Sequence, residues 1–352
     1  MKKLVLVLAT LGLAAPAMAS KARLQSLQGA SFLKDTQTIF VNPAHVSHLG
    51  QYLTFEMGSS SATAATRAEG GFVRKDGDVS YGAYLGHQNE TQSLYRASKI
   101  ATTNGGTYLR SQNPVEVFYA KGNWGASVGF SNSDQKSKGL KEQSLYGRFG
   151  VDNGDTEFFG TLEVLGQAKD ESTAGAEKTL TTSPVVSIGA EKDFGRYYGA
   201  IEARYAQIKA EPTPDKSGND TSIGVSIVDR SLKNDKRMIY YGAGLNYTKL
   251  SNGDKAVSGT ALPVFIGIEG DITSWAIVRG SVSQNLLLGE TKDEFATAPA
   301  DSSDTLSNNT VVALGIGLKY SDFVLDGSIA GSTSGDLNGN NVLSKGALTY
   351  YF

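Results

Sequence analysis

No cysteine occurs among the 352 residues, proline appears only 8 times and histidine only 3 times. Each shortage excludes something. Without thiols there is no disulfide framework, no cysteine nucleophile and no thiolate metal site, so a chain of this size must hold together by backbone pairing or by a substantial core. His45, His48 and His87 are the whole imidazole supply. His45 and His48 are three apart and could share one face of a short helix, but no further ligand stands near them in sequence. They read as exposed or capping residues, and no metal is expected. There is no basic block and the formal net charge is −2, which argues against nucleic acid as a partner. Beyond the first residues, no apolar run approaches the ~20 residues that a membrane-crossing helix needs. Walker and dinucleotide glycine patterns are missing. Asp336-Leu337-Asn338-Gly339-Asn340 has only the outline of a calcium loop, with its glycine misplaced and no Glu at the required distance. No Ser/His/Asp arrangement stands out from spacing. No catalytic residue or cofactor is therefore assigned, and an enzyme is not expected.

What is present begins with an address. Lys2 and Lys3 make a positive start, residues 4–13 are apolar, and Ala17-Met18-Ala19 is a small-x-small cleavage site. Residues 1–19 read as a signal peptide for export through the Sec pathway, with the mature chain beginning at Ser20. Loss of Lys2 and Lys3 takes the net charge from −2 to −4 (−2 − 2). Residues 20–50 form a distinct N-terminal segment without alternation. Within it, Asn42 suits a helix cap and Pro43 the first helical position, which predicts a short helix over 44–49.

From residue 51 to the C-terminus the chain reads as one domain. Alternating segments are joined by very short and long polar connections in turn. In 124–131, Trp124, Ala126, Val128 and Phe130 interleave with Gly125, Ser127, Gly129 and Ser131; in 311–320, Val312, Leu314, Ile316, Leu318 and Tyr320 do the same. Glycine, at 41 residues, suits close strands and tight turns. Short connections fall at 76–78, 122–123, 152–155, 194–195, 273–274 and 321–322. Long ones fall at 88–113, 133–141, 169–182, 211–221, 251–260, 290–309 and 331–340. Their alternation puts all long loops at one end of a sheet. About sixteen strands can be counted, or about fourteen if 222–229 and a neighbour belong to a loop. The expected fold is all-β: a transmembrane antiparallel barrel with short periplasmic turns and long extracellular loops. A secreted sandwich would carry polar outward faces rich in Lys, Glu and Thr, whereas here the less apolar face is full of Gly, Ala and Ser.

In such a barrel, aromatics beside the tight turns make an interface girdle: Tyr119, Trp124, Tyr197, Tyr320, Phe323, Tyr350 and Phe352. Mid-strand charges must avoid lipid. Glu116, Arg148, Glu163, Glu202, Arg204, Glu269, Arg279, Asp326 and Lys345 fall on the less apolar parity and are the expected lining of a pore. They could instead pair and only stabilise the wall. Both signs are present in similar number, so weak ion selectivity is expected.

The terminal strand, with Gly346, Leu348, Tyr350 and Phe352 on one face, resembles the closing strand of Gram-negative outer-membrane β-barrels. That resemblance implies recognition by the outer-membrane assembly machinery. The whole chain after Gly50 resembles a barrel of porin type. This implies an integral protein of the lipopolysaccharide-bearing outer membrane, often a homotrimer. Separately, Gly29-Ala30, Asp35-Thr36, Phe40-Val41-Asn42-Pro43-Ala44 and Leu49 resemble the N-terminal segment of the FadL-like transporters of hydrophobic compounds. There the segment folds as a hatch inside a fourteen-stranded barrel, so the resemblance implies that Asn42, Pro43 and Ala44 belong to a plug. Three functions follow: a passive channel for small solutes, a hatch-gated carrier of hydrophobic molecules, or a structural or display barrel with a closed lumen.

Overall fold

The computed structural model describes residues 20–58, 67–88, 106–212, 217–234, 236–252, 255–293, 302–305, 310–332 and 343–352. The expected signal peptide and the loop 336–340 lie outside the described residues. Eighteen strand segments form one antiparallel sheet that closes on itself. Two pairs of segments run in line. Lys178–Thr181 and Val185–Asp193 both lie between Thr156–Asp170 and Tyr197–Glu211. Ser302–Thr305 and Val311–Tyr320 both pair with Ala276–Asp293. Counting each pair once gives 18 − 2 = 16 barrel strands.

In chain order these are β1 (Tyr52–Gly58), β2 (Arg67–Asp76), β3 (Val79–Leu85), β4 (Val115–Lys121), β5 (Trp124–Gln135), β6 (Leu140–Asp152), β7 (Thr156–Asp170) and β8 (Lys178–Thr181 with Val185–Asp193). They continue as β9 (Tyr197–Glu211), β10 (Gly218–Lys233), β11 (Arg237–Asn252), β12 (Lys255–Thr273), β13 (Ala276–Asp293), β14 (Ser302–Thr305 with Val311–Tyr320), β15 (Phe323–Ser332) and β16 (Leu343–Tyr351). The segment 222–229, weakest in the sequence, is the middle of β10.

β1 pairs with both β2 and β16, from Tyr52 opposite Tyr351 to Gly58 opposite Lys345, and so joins the two ends of the sheet. Closure leaves no strand edge, which is the condition for a sheet to sit in hydrocarbon. The tight connections gather at the rim where β1 begins and β16 ends. Gly122 (φ 60°) and Gly195 (φ 80°) turn there through the left-handed region that glycine enters without steric cost.

At the opposite rim the strands overrun expectation. β12 has 19 residues and β13 has 18. The loops expected at 133–141 and 251–260 are largely strand, since β5 reaches Gln135, β6 begins at Leu140, β11 reaches Asn252 and β12 begins at Lys255. Roughly ten residues suffice to cross a bilayer. Beyond that height both faces meet water, so the apolar–polar alternation fades while backbone pairing continues.

The wall has two distinct faces. Outward residues such as Phe55, Val164, Ile188, Ile227 and Leu314 are more than half exposed, whereas Thr54, Glu56, Ser127, Ser144 and Thr349 on the inward parity are buried. Among the described residues no helix is long and apolar enough to cross a membrane; the apolar surface is the belt on the barrel. Six of the seven expected girdle aromatics are exposed there and Tyr350 is half-buried. Tyr119 packs at 5.6 Å from Trp124, which stacks at 6.3 Å on Phe149. Phe323, Tyr350 and Phe352 make a second group, with centroids 4.7 and 5.8 Å apart. Phe194 and Trp275, in the tight turns themselves, extend the girdle beyond the expected set. Ile188 is 62% exposed on the outward parity, which would face lipid if the barrel spans a membrane, and should then tolerate no charge. Ile188→Arg is expected to cost about 2–4 kcal/mol in a urea-dependent folding titration into lipid, whereas Ser187→Ala on the inward parity should cost far less.

Candidate functional site in the barrel lumen

Residues 20–49 supply what the inward face surrounds. Lys21–Ser26 is a helix capped by Ser20, whose Oγ accepts from the Arg23 N–H at 3.2 Å. Asn42 caps a 3-10 turn over Pro43–Ser47, where a short helix over 44–49 was expected, with its Oδ1 accepting from the Ala44 N–H at 3.1 Å. From there the segment touches inward side chains around nearly the whole circumference. Ile39, Phe40, Val46 and Leu49 cluster with Tyr52, Val73, Tyr84 and Phe118 of β1 to β4. Leu27, Ala30 and Phe32 cluster with Tyr198, Val228, Met238 and Tyr240 of β9 to β11. A chain that reaches opposite walls of a closed barrel lies within it. Inward glycines make room: a β-carbon at Gly315 would stand 2.6 Å from Cβ of Ser26, and one at Gly125 or Gly150 would collide with the backbone of Pro43 or the side chain of Asn42.

Polar anchors complement the apolar ones. Arg23 grips Glu269 through two hydrogen bonds, Nε to Oε2 at 2.8 Å and Nη2 to Oε1 at 2.7 Å. Arg279 continues the chain, with Nε 2.6 Å from Glu269 Oε2 and Nη1 2.6 Å from Asp326 Oδ1. Ser20 Oγ donates to Asp326 Oδ2 at 3.2 Å. On the far side Lys34 bridges Asp152 (2.5 Å) and Glu157 (2.8 Å). His45 Nε2 lies 2.5 Å from Glu157 Oε2, which also accepts from Asn42 Nδ2 at 2.9 Å. His45 is buried, against the expectation of an exposed or capping residue, because Glu157 arrives from 112 residues away. The ligand atoms of His45, Asp152 and Glu157 lie within 4.8 Å of one another, but the Lys34 ammonium already supplies the cation between the two carboxylates.

All nine charges expected in the pore lie on the inward parity, in different settings. Glu269, Arg279 and Asp326 come together through Arg23. Glu116 and Arg148 pair at 2.9 Å, with Ser127 and Tyr146 also donating to Glu116 at 2.6 and 2.8 Å. Arg204 pairs with Asp220 at 3.1 Å, Glu163 accepts from Thr182 Oγ1 at 3.2 Å, and Lys345 is half-buried beside Gly58. Only Glu202 of the nine is exposed. It shares a cavity of about 360 Å³ with Glu191, Phe159, Ser226 and Asn246, bounded on the other side by Ala30 and His45. A second cavity of about 370 Å³ lies between Lys21, Gln37, Glu56, Glu69 and Arg67. Sequence reading missed Glu56, Glu69, Glu157 and Glu191 although they share the inward parity. These four stand toward strand ends, where alternation is shorter and parity harder to read than at mid-strand.

No protein-family model matches the chain, and no curated protein sequence matches it. A bacterial polysaccharide outer membrane secretin aligns over 86% of this chain and 97% of its own, with a TM-score of 0.51 and 8% identity. A porin refined at 1.8 Å covers 86% of this chain and 99% of its own (TM-score 0.42, 12% identity), and the outer membrane channel DcaP of Acinetobacter baumannii covers 86% and 96% (TM-score 0.43, 12% identity). At these identities the likeness is one of fold: a closed antiparallel barrel.

Asp35 sits at the heart of the segment, fully buried, with Oδ1 accepting from the N–H groups of Gln37 (2.9 Å) and Thr38 (3.0 Å). Burial pushes its carboxyl up to about 6, only partly offset by Arg23 and those N–H groups. Because the docked-state value lies above the free value of 3.8, the carboxylate opposes docking above pH 6, and that penalty fades as pH falls from 6 toward 4. The gap corresponds to about 3 kcal/mol. Asp35→Asn keeps the acceptor and removes the charge. It is expected to slow hydrogen exchange of the amides over 35–48 at pH 7, read by mass spectrometry, and to flatten the change between pH 4 and 7.

Proposed function

We propose that the chain is an outer-membrane channel through which small solutes diffuse passively, with residues 20–50 narrowing the lumen as a plug. The observation that carries this reading is the space left beside the segment, where Glu191 and Glu202 face a cavity bounded by Phe159, Ala200, Ser226 and Asn246 of β7 to β11. An apolar outer belt, a girdle at the turn-side rim and a Sec signal support placement in the outer membrane, with the tight turns periplasmic. The terminal strand is suited to the assembly machinery, and a trimer is the expected assembly. No catalytic role is assigned to any lumenal residue.

The charge pattern sharpens the reading. Arg148, Arg204 and Arg279 each hold a carboxylate at 3.1 Å or less, and Lys34 holds two. Glu163, Glu191 and Glu202 have no base within ion-pair distance among the described residues. The field felt by a permeating ion is therefore negative, and cation preference replaces the weak selectivity expected from composition. A second reading, a FadL-like carrier of hydrophobic compounds, draws on the two apolar clusters that seat the segment and on Leu24, Val41 and Phe159 beside the cavity. Its sixteen strands depart from the fourteen of that family.

Single-channel recording of the mature protein in a planar bilayer tests the channel directly: steady aqueous steps support it, and a silent bilayer with folded protein overturns it. Glu202→Gln should then move the reversal potential toward anions; an unchanged potential would remove Glu202 from the permeation path. To test the plug, Gln28→Cys and Ser281→Cys, whose backbone N and side-chain Oγ are 3.1 Å apart in the parent, provide a reducible tether in a chain without other thiols. Deleting residues 20–50 should raise conductance, and reducing the tether should increase the frequency of large openings. Equal conductance in all forms would exclude the segment as the restriction.

A further inference from the structure

One feature of the outer wall is not explained by solute passage. Near the turn-side rim, a groove of about 610 Å³ opens on the lipid-facing surface of β11, β12 and β13. Its floor is Gly270. The register places Gly270 opposite Arg237 on one side and Val278 on the other, so one outward position lacks a side chain between a base and a valine. Ile268 and Ile272, the outward neighbours along β12, form its apolar walls and are 44% and 67% exposed. Lys236 joins Arg237 at the rim end. Their backbone is fixed: Asn234 Oδ1 accepts from both N–H groups, at 3.0 and 2.9 Å, and the Lys236 carbonyl accepts from the Asp271 N–H at 2.8 Å.

Some bases of this rim meet a carboxylate, while others, Arg74 and Lys319 as well as Lys236 and Arg237, meet none among the described residues; what sets Lys236 and Arg237 apart is that they stand together at one groove. Lys121 meets Asp78 at 3.2 Å, Lys192 meets Asp155 at 2.8 Å and Arg196 meets Asp229 at 2.7 Å. No carboxylate among the described residues lies within ion-pair distance of Lys236 or Arg237. Asp271 also borders the groove but falls on the inward parity of β12. Two bases at the level of the interface, above an apolar trough that leads into the lipid-facing belt, match a molecule with an anionic head and a hydrocarbon tail.

We propose that this groove binds one anionic phospholipid of the leaflet at the tight-turn rim, its phosphate on Lys236 and Arg237 and an acyl chain lying over Gly270 between Ile268 and Ile272. The assignment rests on the transmembrane reading above and is independent of what the lumen conducts. The site gives the barrel a fixed lipid contact at one place on its circumference, distinct from the exchangeable lipid around it.

The chain carries its own reporter. Trp275 stands in the β12–β13 turn, three residues after Ile272, and tryptophan occurs only twice in the sequence. In a Trp124→Phe background, Trp275 fluorescence is measured in vesicles of phosphatidylcholine containing a small fraction of brominated phosphatidylglycerol. Quenching is expected to exceed that from the same fraction of brominated phosphatidylcholine. Lys236→Gln with Arg237→Gln should weaken the preference by about five-fold for each base removed. Gly270→Leu keeps the charges and fills the trough; the added Cβ would meet only Arg237 Cβ at 3.5 Å and the Lys236 carbonyl at 3.7 Å, so the wall accepts it. It too should abolish the excess quenching. Arg74→Gln, an outward base at the same rim outside the groove, should leave it intact. Equal quenching by the two brominated lipids in the parent would overturn the proposal, as would loss of the preference on adding inorganic phosphate, which would assign the bases to free anion. If brominated phosphatidylcholine fails to quench Trp275 at all, the transmembrane reading itself fails.

Discussion

Backbone pairing between β1 and β16 is the contact on which everything else depends. A sheet of sixteen strands in hydrocarbon cannot leave one edge open, because each unpaired N–H or C=O there would cost several kcal/mol. Seven residue pairs, from Tyr52–Tyr351 to Gly58–Lys345, remove that edge. Once the wall is closed, its inward face no longer needs to be apolar, since the closed sheet screens it from whatever surrounds the outer face. That freedom explains why Glu56, Glu116, Glu142, Arg279 and Asp326 can be buried on the inward face. Each is held by partners within the lumen, and a charge stripped of its partner there would be strongly destabilising.

The lumen combines two ways of filling space. On one side the N-terminal segment brings its own apolar residues and its own ions, so Arg23 completes a chain of alternating charges with Glu269, Arg279 and Asp326. On the other side, along β7 to β11, small or polar inward residues such as Ala200, Ser226 and Asn246 border space left unfilled. The bases sit mostly in the filled half, already neutralised, and Glu191 and Glu202, which meet no base among the described residues, sit beside the space. The electrostatic character of a passage is thus decided by which charges are left without partners, and a count of signs along the strands does not reveal it.

Most of the fold was legible because a barrel wall imposes a strict period of two. Every expected strand is present, even 222–229, whose polar inward residues blur the pattern. Strand ends were less legible, since above the lipid the two faces meet the same solvent and nothing in residues 255–260 distinguishes strand from loop. The lumenal site was legible only in parity. Glu116, Glu269 and Arg279 could be assigned to the inside from their positions, but their partners could not. Arg23 and Glu269 are 246 residues apart, and His45 and Glu157 are 112 apart. Such pairs follow from the curvature of the closed wall, which brings residues distant along the chain across a lumen. Asn42-Pro43-Ala44 was readable as a local cap, and the inward glycines 125 and 150 that receive it were not.

The two ends of the barrel domain meet at one rim, where the Gln51 carbonyl accepts from the Phe352 N–H at 3.3 Å. Residues 20–49 precede the first strand, yet Ser20 bonds to Asp326, 306 positions later, and Gln25 to Ser328, 303 positions later. The segment from Ser20 onward therefore acquires its partners from the last strands to be synthesised. It cannot take its final place until β15 and β16 exist, and once β1 has zipped to β16 it is enclosed. The closed wall thus surrounds a segment of its own chain, and that segment's anchors come from the far end of the sequence.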